Sequence, residues 1–96
     1  MIEVQVEIYF SFKGKIPGGE GVINLKLSED ALVLDALERL IDLYPELDGD
    51  IFESSGRLRR FIQVRLNQKG VEHLSGLETE ISEGDELLIL TKLGGG

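Results

Sequence analysis

One segment of the chain has the residue spacing of an α-helix, whereas the other patterned segments have the spacing of β-strands. The apolar positions of the helical segment are Val33, Leu37, Leu40, Ile41 and Tyr44. Their spacings of three and four predict an amphipathic helix of about three turns. We expect Ser28 or Asp30 to cap its start and Pro45 to end it. Because one helix can cover only one face of a sheet, the pattern predicts an α+β domain of two layers.

Five segments have the composition or the period-two alternation of β-strands. They are Ile2–Phe12, Ile23–Leu27, Ile62–Leu66, Val71–Leu74 and Glu86–Thr91. The glycine-rich loop Lys13–Gly21 is expected to join the first two as an antiparallel hairpin. Leu87–Leu90 are apolar at every position, which is typical of a central strand buried on both faces. We therefore expect a mixed sheet of roughly four to five strands with one main helix on one face.

Composition excludes several classes of function. The 96 residues suffice for a single domain, placed at residues 1–92, with a glycine tail at residues 93–96. The chain has no cysteine, so it offers neither a disulfide framework nor a thiol nucleophile. A net charge of −8 argues against binding to nucleic acid. With no apolar run near ~18 residues and no signal-peptide pattern, we expect a cytoplasmic protein without membrane contact.

The sequence ends in three consecutive glycines, Gly94, Gly95 and Gly96. Glycine has no side chain to pack, to carry charge or to react. Such a run is a slim, flexible main chain that can reach into another protein's active site. The terminal carboxylate is then the one reactive group that this segment presents. The tail therefore predicts a chain that is acted upon at its end.

The last third of the chain resembles the MoaD/ThiS family of ubiquitin-like sulfur carriers, which have the β-grasp fold. The resemblance covers Val64–Gly96 and depends on four short motifs. They are Leu66–Gly70 at a strand end and turn, Gly76-Leu77, Gly84-Asp85 opening the last strand, and the terminal Gly95-Gly96. The prolines that usually precede the diglycine in MoaD proteins are absent, so the branch of the family stays open.

The resemblance implies a specific chemistry at Gly96. Its carboxylate is adenylated with ATP by a ubiquitin-activating-type enzyme and then converted to a thiocarboxylate, with Gly95 and Gly94 giving access. In the MoaD branch the large subunit of molybdopterin synthase receives the sulfur. The resemblance further implies a carrier that is not itself an enzyme and holds no cofactor or metal, since the partner uses the ATP.

The surface that docks these partners is expected on the sheet face away from the helix. If Leu87 and Ile89 point toward the helix, then Leu88 and Leu90 point outward. Phe61 and Arg65 then share that face from the neighbouring strand. An apolar patch with an aromatic residue and an arginine at its rim is typical of a protein interface.

Other interpretations stay open. The protein could be a ubiquitin-like modifier joined to target lysines through Gly96, or a sulfur carrier for thiamine synthesis or tRNA thiolation. It could also be an interaction module whose tail is inert. His73 is interpreted as a surface residue rather than a metal ligand, and the basic run Arg57–Arg60 as a solvated loop or a contact for an acidic partner.

Overall fold

The computed structural model describes residues 1–9 and 22–91, and of Tyr9 and Thr91 it describes the backbone alone. The strands are β1 (Ile2–Tyr9), β2 (Val22–Leu27), β3 (Ile62–Leu66), β4 (Lys69–Gly70) and β5 (Glu86–Thr91), and the helices are α1 (Val33–Leu43) and α2 (Asp48–Ile51). Short 3₁₀ turns occur at Pro45–Leu47, Val71–His73 and Gly76–Glu78. The loop predicted at Lys13–Gly21 lies outside the described residues.

The strands form one mixed sheet in the order β2-β1-β5-β3-β4. β1 pairs antiparallel with β2 and parallel with β5, while β3 pairs antiparallel with both β5 and β4. The central position predicted for the last strand is thus confirmed. A strand in that position is hydrogen-bonded along both edges. Its expected burial on both faces is wrong, because Leu87 and Ile89 are buried but Leu88 and Leu90 are only half-buried.

α1 covers one face of the sheet. Its apolar stripe buries Val33, Ala36, Leu37 and Leu40, and the facing positions of the strands are buried with them. The strand residues in this core are Ile2, Val4, Val6, Ile8, Leu25, Leu27, Ile62, Val64, Leu66, Leu87 and Ile89. Their alternation along each strand is what the period-two pattern predicted. The two-layer α+β architecture is therefore confirmed.

The segment after α1 closes one end of this core. Tyr44 is the C-cap of the helix, and Pro45 follows it as predicted. Leu47 and Ile51 are completely buried, and Phe52 packs against the core from a half-buried position. No helix within residues 1–9 and 22–91 is long and apolar enough to cross a membrane.

The start of α1 differs from the prediction. Neither Ser28 nor Asp30 caps the helix, because the residue at the N-cap position is Leu32. The Ser28 hydroxyl donates instead to Asp30 Oδ1 at 2.9 Å. The backbone N–H of Leu32 donates to Asp35 Oδ2 at 2.8 Å, and the N–H of Val33 donates to the Thr79 carbonyl at 2.9 Å. A tertiary contact with residues 79–81 thus replaces the predicted side-chain cap.

The prediction of a strand at Val71–Leu74 is also wrong. The partner of β3 at this edge is the two-residue β4, and Val71–His73 form a 3₁₀ turn. Asn67 and Gln68 have φ values of 52° and 74° and join β3 to β4 as a two-residue hairpin loop. Because the loop has only two residues, Lys69 and Gly70 pair directly with Leu66 and Arg65 of β3. The short strand therefore begins two residues earlier than predicted.

Candidate functional site: the open face of the sheet and the end of β5

β5 carries the chain from the middle of the sheet toward its glycine run. The last described residue, Thr91, pairs with Ile62 at the start of β3. Gly94, Gly95 and Gly96 lie outside the described residues, so their predicted role is not tested by the coordinates. The structure does fix the strand that precedes them, which is held by β1 on one side and β3 on the other.

The two faces of β5 have different surroundings. Leu87 and Ile89 are 2% and 0% exposed because they lie beneath α1. Leu88 and Leu90 alternate with them and lie half-buried on the opposite face. We call this side of the sheet the open face, since no helix of the described residues packs on it. Leu88 and Leu90 therefore point away from α1, as the docking prediction requires.

Leu88 lies at the centre of a row of residues that crosses the open face. The parallel register places Glu7 beside Leu88, and the antiparallel register places Arg65 on its other side. Directly paired side chains of neighbouring strands lie ~5 Å apart at Cβ and contact one another. An acidic and a basic side chain therefore flank this leucine.

Leu90 lies in the next row toward the end of β5. Its paired neighbours are Tyr9 on β1 and Gln63 on β3. The Gln63 amide donates from Nε2 to Glu72 Oε2 at 3.3 Å, which ties this row to the 3₁₀ turn after β4. Leu88 and Leu90 therefore form a small apolar centre with hydrogen-bonding residues around it.

Phe61 lies at the edge of the open face nearest to the end of β5. Its side chain is 43% exposed, which is unusual for a phenylalanine in a domain this small. It directly precedes Ile62, the partner of Thr91, so it stands beside the point where the chain leaves the sheet. An exposed aromatic ring at this position offers a large contact area to a protein that takes up the tail.

The structure brings the four predicted docking residues to one side of the molecule. Leu88 and Leu90 supply its apolar centre, Arg65 lies across from Leu88, and Phe61 lies at the rim. No ion pair joins Arg65 to any other described residue. Docking by these residues stays a prediction.

Sequence reasoning did not assign a role to Asn67, which fixes the start of β5. Its side-chain oxygen accepts from the Glu86 N–H at 3.0 Å, and its Nδ2 donates to Asp85 Oδ1 at 3.0 Å. The other carboxylate oxygen of Asp85 accepts from the Ser82 N–H at 2.8 Å. The signal was present in the sequence, as an asparagine before a turn and an aspartate before the last strand. Asn67 therefore sets where β5 begins relative to β3.

His73 and Glu83 each lie close to another polar group of the chain. His73 is exposed, and its Nε2 lies 3.7 Å from Glu72 Oε2. Within residues 1–9 and 22–91, no group of three or more histidine, aspartate or glutamate side chains is placed to hold a metal ion. Glu83, from the acidic run before β5, accepts the Glu3 N–H through Oε1 at 2.9 Å and so has a structural contact.

Residues 16–96 match a family model described as the ThiS family. The chain belongs to the ThiS family. The matched range contains α1 and every strand except β1, and it extends through to Gly96. The family predicted from the motifs of the last third of the chain is therefore confirmed over most of its length.

Relatives of this ThiS-family chain include modifiers and sulfur carriers. It is 27% identical over 95 residues to small archaeal modifier protein 3 of Haloferax volcanii, covering 99% of this chain and 100% of the relative. It is 40% identical over 43 residues to the sulfur carrier protein CysO of Mycobacterium tuberculosis, covering 45% of this chain and 46% of CysO.

Solved structures of relatives have the same fold. In the crystal structure of the BexX/CysO complex of Amycolatopsis orientalis, one chain matches with a TM-score of 0.69 and 28% identity. The match covers 97% of the present chain and 99% of the matched chain in that complex. The ubiquitin-like β-grasp fold predicted from the order of elements is confirmed.

Proposed function

We propose that this protein is a sulfur carrier that is activated at the carboxylate of Gly96 and supplies sulfur for molybdopterin synthesis. The observation that carries the proposal is the ThiS-family match, which includes the glycine run itself. The position of β5 supports it, because the five residues after Thr91 leave from a strand held along both edges. Fully extended, five residues span up to ~17 Å, enough to enter a partner's active site.

The proposed reaction has two steps, and both take place in the activating enzyme. A carboxylate oxygen of Gly96 attacks the α-phosphorus of ATP, and pyrophosphate leaves to give an acyl adenylate. Sulfide then attacks the carbonyl carbon, and AMP leaves to give the thiocarboxylate. The acyl phosphate must be shielded from water throughout, so the tail needs a narrow channel. Gly95 and Gly94 suit such a channel because they carry no side chain.

The open face is the surface we assign to docking of the activating enzyme. Leu88 and Leu90 provide the apolar centre that an interface needs, while Phe61 and Arg65 belong to residue types enriched at binding hot spots. Docking close to the end of β5 also offsets the entropy of ordering the tail, about 1–2 kcal/mol per residue. The large subunit of molybdopterin synthase is the proposed acceptor partner.

The first test is intact-mass spectrometry of the full chain after incubation with Mg-ATP, sulfide and the ubiquitin-activating-type enzyme of the same organism. The expected product is heavier by the replacement of one oxygen with one sulfur. A chain lacking both Gly95 and Gly96, which no longer ends in a diglycine, is the matched control and should keep its mass. An unchanged mass for the full chain, with an enzyme that is active on another carrier, would overturn the proposal.

The molybdopterin assignment has its own test. The thiocarboxylated chain is mixed with the large molybdopterin synthase subunit and the pterin precursor, and dithiolene formation is followed. Product formation supports this branch. If the thiocarboxylate forms but its sulfur passes only to a thiamine precursor or to tRNA, the carrier function stands and the molybdopterin assignment is wrong.

A role as a protein modifier is the second candidate, favoured by the similarity to a small archaeal modifier protein over nearly the whole chain. An isopeptide bond to a target lysine would then form from the same acyl adenylate. Trypsin cleaves after Lys92, so each modified lysine would carry the remnant Leu93–Gly96. Searching lysate peptides for that remnant tests the modifier role. Lys26 and Lys69 are exposed lysines on which chains of the modifier could grow.

A further inference from the structure

The segment that carries the basic run is fixed by main-chain hydrogen bonds, although Arg57 and Arg60 are exposed to solvent. Phe52 and Leu58 form an antiparallel bridge. Within the bridge, the Glu53 N–H donates to the Arg57 carbonyl at 2.7 Å. At its end, the Arg59 N–H donates to the Ile51 carbonyl at 2.9 Å. We call residues 52–60 the arginine loop. Its backbone therefore presents the three arginines in a defined arrangement.

The arginine loop forms one wall of a groove with an apolar floor. Two cavities of ≈ 620 Å³ and ≈ 320 Å³ share Leu58, Arg60 and Leu77 as lining residues. Leu58 and Leu77 are half-buried and form the floor, whereas Arg57 and Arg60 are exposed at the rim. We call these joined cavities the basic groove. A floor of this kind receives an apolar side chain, and its rim receives carboxylates.

The rim carries two exposed arginines and one half-buried carboxylate, because Glu53 lines the cavity of ≈ 620 Å³ with Arg57 and Arg60. Neither Arg57 nor Arg60 forms an ion pair with another described residue, although the chain has 18 acidic residues. Arg59 is engaged, because its Nε donates to the Gly49 carbonyl at 2.6 Å. Glu72, at the far end of the groove, accepts from Gln63 and lies beside His73. The two exposed guanidinium groups outnumber the one carboxylate at the rim, which favours an acidic partner.

The basic groove lies next to the root of the tail. The Ile62 N–H donates to the Arg59 carbonyl at 3.0 Å, which makes Arg60 and Phe61 the central residues of a turn. Arg60 is two residues from Ile62, so their Cα atoms are no more than about 7.6 Å apart. Ile62 is itself paired with Thr91, the last residue of β5. A protein that encloses the tail must therefore pass close to Arg60.

We infer that the basic groove binds an acidic segment of the activating enzyme that takes up the tail. The segment carries at least two carboxylates for Arg57 and Arg60 and one apolar side chain for the floor at Leu58 and Leu77. This inference rests on the proposed function, since it names a second contact of the same partner. The groove and the open face are then two separate contacts for the same partner.

The test is the KM for the carrier in ATP–pyrophosphate exchange by the activating enzyme of the same organism. The double variant Arg57→Glu with Arg60→Glu should raise KM by roughly tenfold while kcat stays within about twofold, because rim charges act on association. The matched control is Arg39→Glu with Lys69→Glu, two exposed residues on α1 and β4 that lie outside the open face. The control lowers net charge by the same amount and should leave KM within about twofold.

Two further measurements separate recognition from folding. Replacing Arg57 and Arg60 by lysine keeps the charges and should keep KM within about threefold, and the KM of the glutamate variant should lose most of its salt dependence. Equal KM values for the glutamate variant and the wild type would overturn the inference alone. Equal increases in both glutamate variants would also overturn it. If the wild-type chain supports no exchange and no thiocarboxylate, the proposed function fails and the inference fails with it.

Discussion

The two faces of the sheet are built from the same strands and have opposite properties. Beneath α1, strands β1, β2, β3 and β5 present a continuous set of buried apolar side chains, with Ile23 half-buried beside them. On the open face, the described positions are polar or charged except for Leu88, Leu90, Phe61 and Val22. The covered face is therefore the main source of stability, while the open face has only enough apolar surface for recognition. Substitutions on the two faces should separate folding from partner binding.

Deletion of Gly95 and Gly96 should have the largest effect of all, and this effect should be on the reaction and not on stability. The deletion should abolish adenylation and thiocarboxylate formation, because the reacting carboxylate no longer reaches the ATP. Thermal unfolding should be unchanged, since neither face of the sheet is altered. ATP–pyrophosphate exchange and the melting temperature are the two measurements. Full exchange activity in the shortened chain would remove the tail from the mechanism.

The sharpest test of the comparison uses two adjacent residues of one strand. Ile89→Ala removes a completely buried side chain and should cost about 2–5 kcal/mol of unfolding free energy. Leu88→Ala removes a half-buried side chain of the same size and should cost less than about 1.5 kcal/mol. Urea unfolding of both variants gives the two values. Equal losses would mean that the open face is covered in solution.

Substitutions on the open face should weaken binding to the activating enzyme much more than they lower the free energy of unfolding. The double variant Leu88→Ala with Leu90→Ala should weaken the complex with the activating enzyme by about 2–4 kcal/mol, as expected for central interface residues. Isothermal titration calorimetry measures the change. Leu43→Ala is a suitable control, because Leu43 is also an exposed apolar residue but lies on α1, which covers the other face of the sheet. An equal loss for Leu43→Ala would place the interface elsewhere.

Asn67 is important for both faces of the sheet, because its side chain fixes the start of β5 against the turn that follows β3. Asn67→Ala leaves the Glu86 N–H without its side-chain acceptor and Asp85 Oδ1 without its donor. It should cost about 1–3 kcal/mol of unfolding free energy, the usual range for a lost polar contact. Asn67→Asp keeps the acceptor but sets a second carboxylate against Asp85 Oδ1, so at neutral pH it should lose at least as much stability. No loss in either variant would show that the strand pairing alone sets the register.

The smallest expected effect is a gain at Gln68. Its φ of 74° is unfavourable for a residue with a side chain, and two-residue hairpin loops of this kind favour glycine at the second position. Gln68→Gly should therefore raise the unfolding free energy by about 0.5–1 kcal/mol. Partner binding should not change, because Gln68 lies beyond the end of both faces. A loss of stability would mean that its side chain makes a contact outweighing the strain.

The sequence was sufficient to predict the layers and the central strand, and the reasons are physical. The alternation of β1 to β3 and the unbroken apolar run of β5 both follow from burial, which dominates the free energy of folding. The end of α1 was equally predictable, since a proline after Tyr44 excludes further helix. Burial and backbone geometry are local enough to be read from one sequence.

What could not be predicted depends on partners distant in the chain. The helix cap was missed because the Val33 N–H is bonded to Thr79, 46 residues later, so that no side chain near Ser28 was needed. β4 was misplaced because its position depends on left-handed backbone at Asn67 and Gln68, which those residue types permit but do not require. The role of Asn67 was missed for the same reason, since its contacts are on β5.

The order of the strands also bears on how a newly made chain reaches this state. β1 with β2, and β3 with β4, are two antiparallel hairpins whose facing inner edges are joined only through β5. Until the ribosome has supplied β5, both inner edges lack their partner, and exposed strand edges are prone to wrong pairing. Folding can therefore be completed only late in synthesis. A cell that makes this protein should protect the unfinished chain until its final segment has emerged.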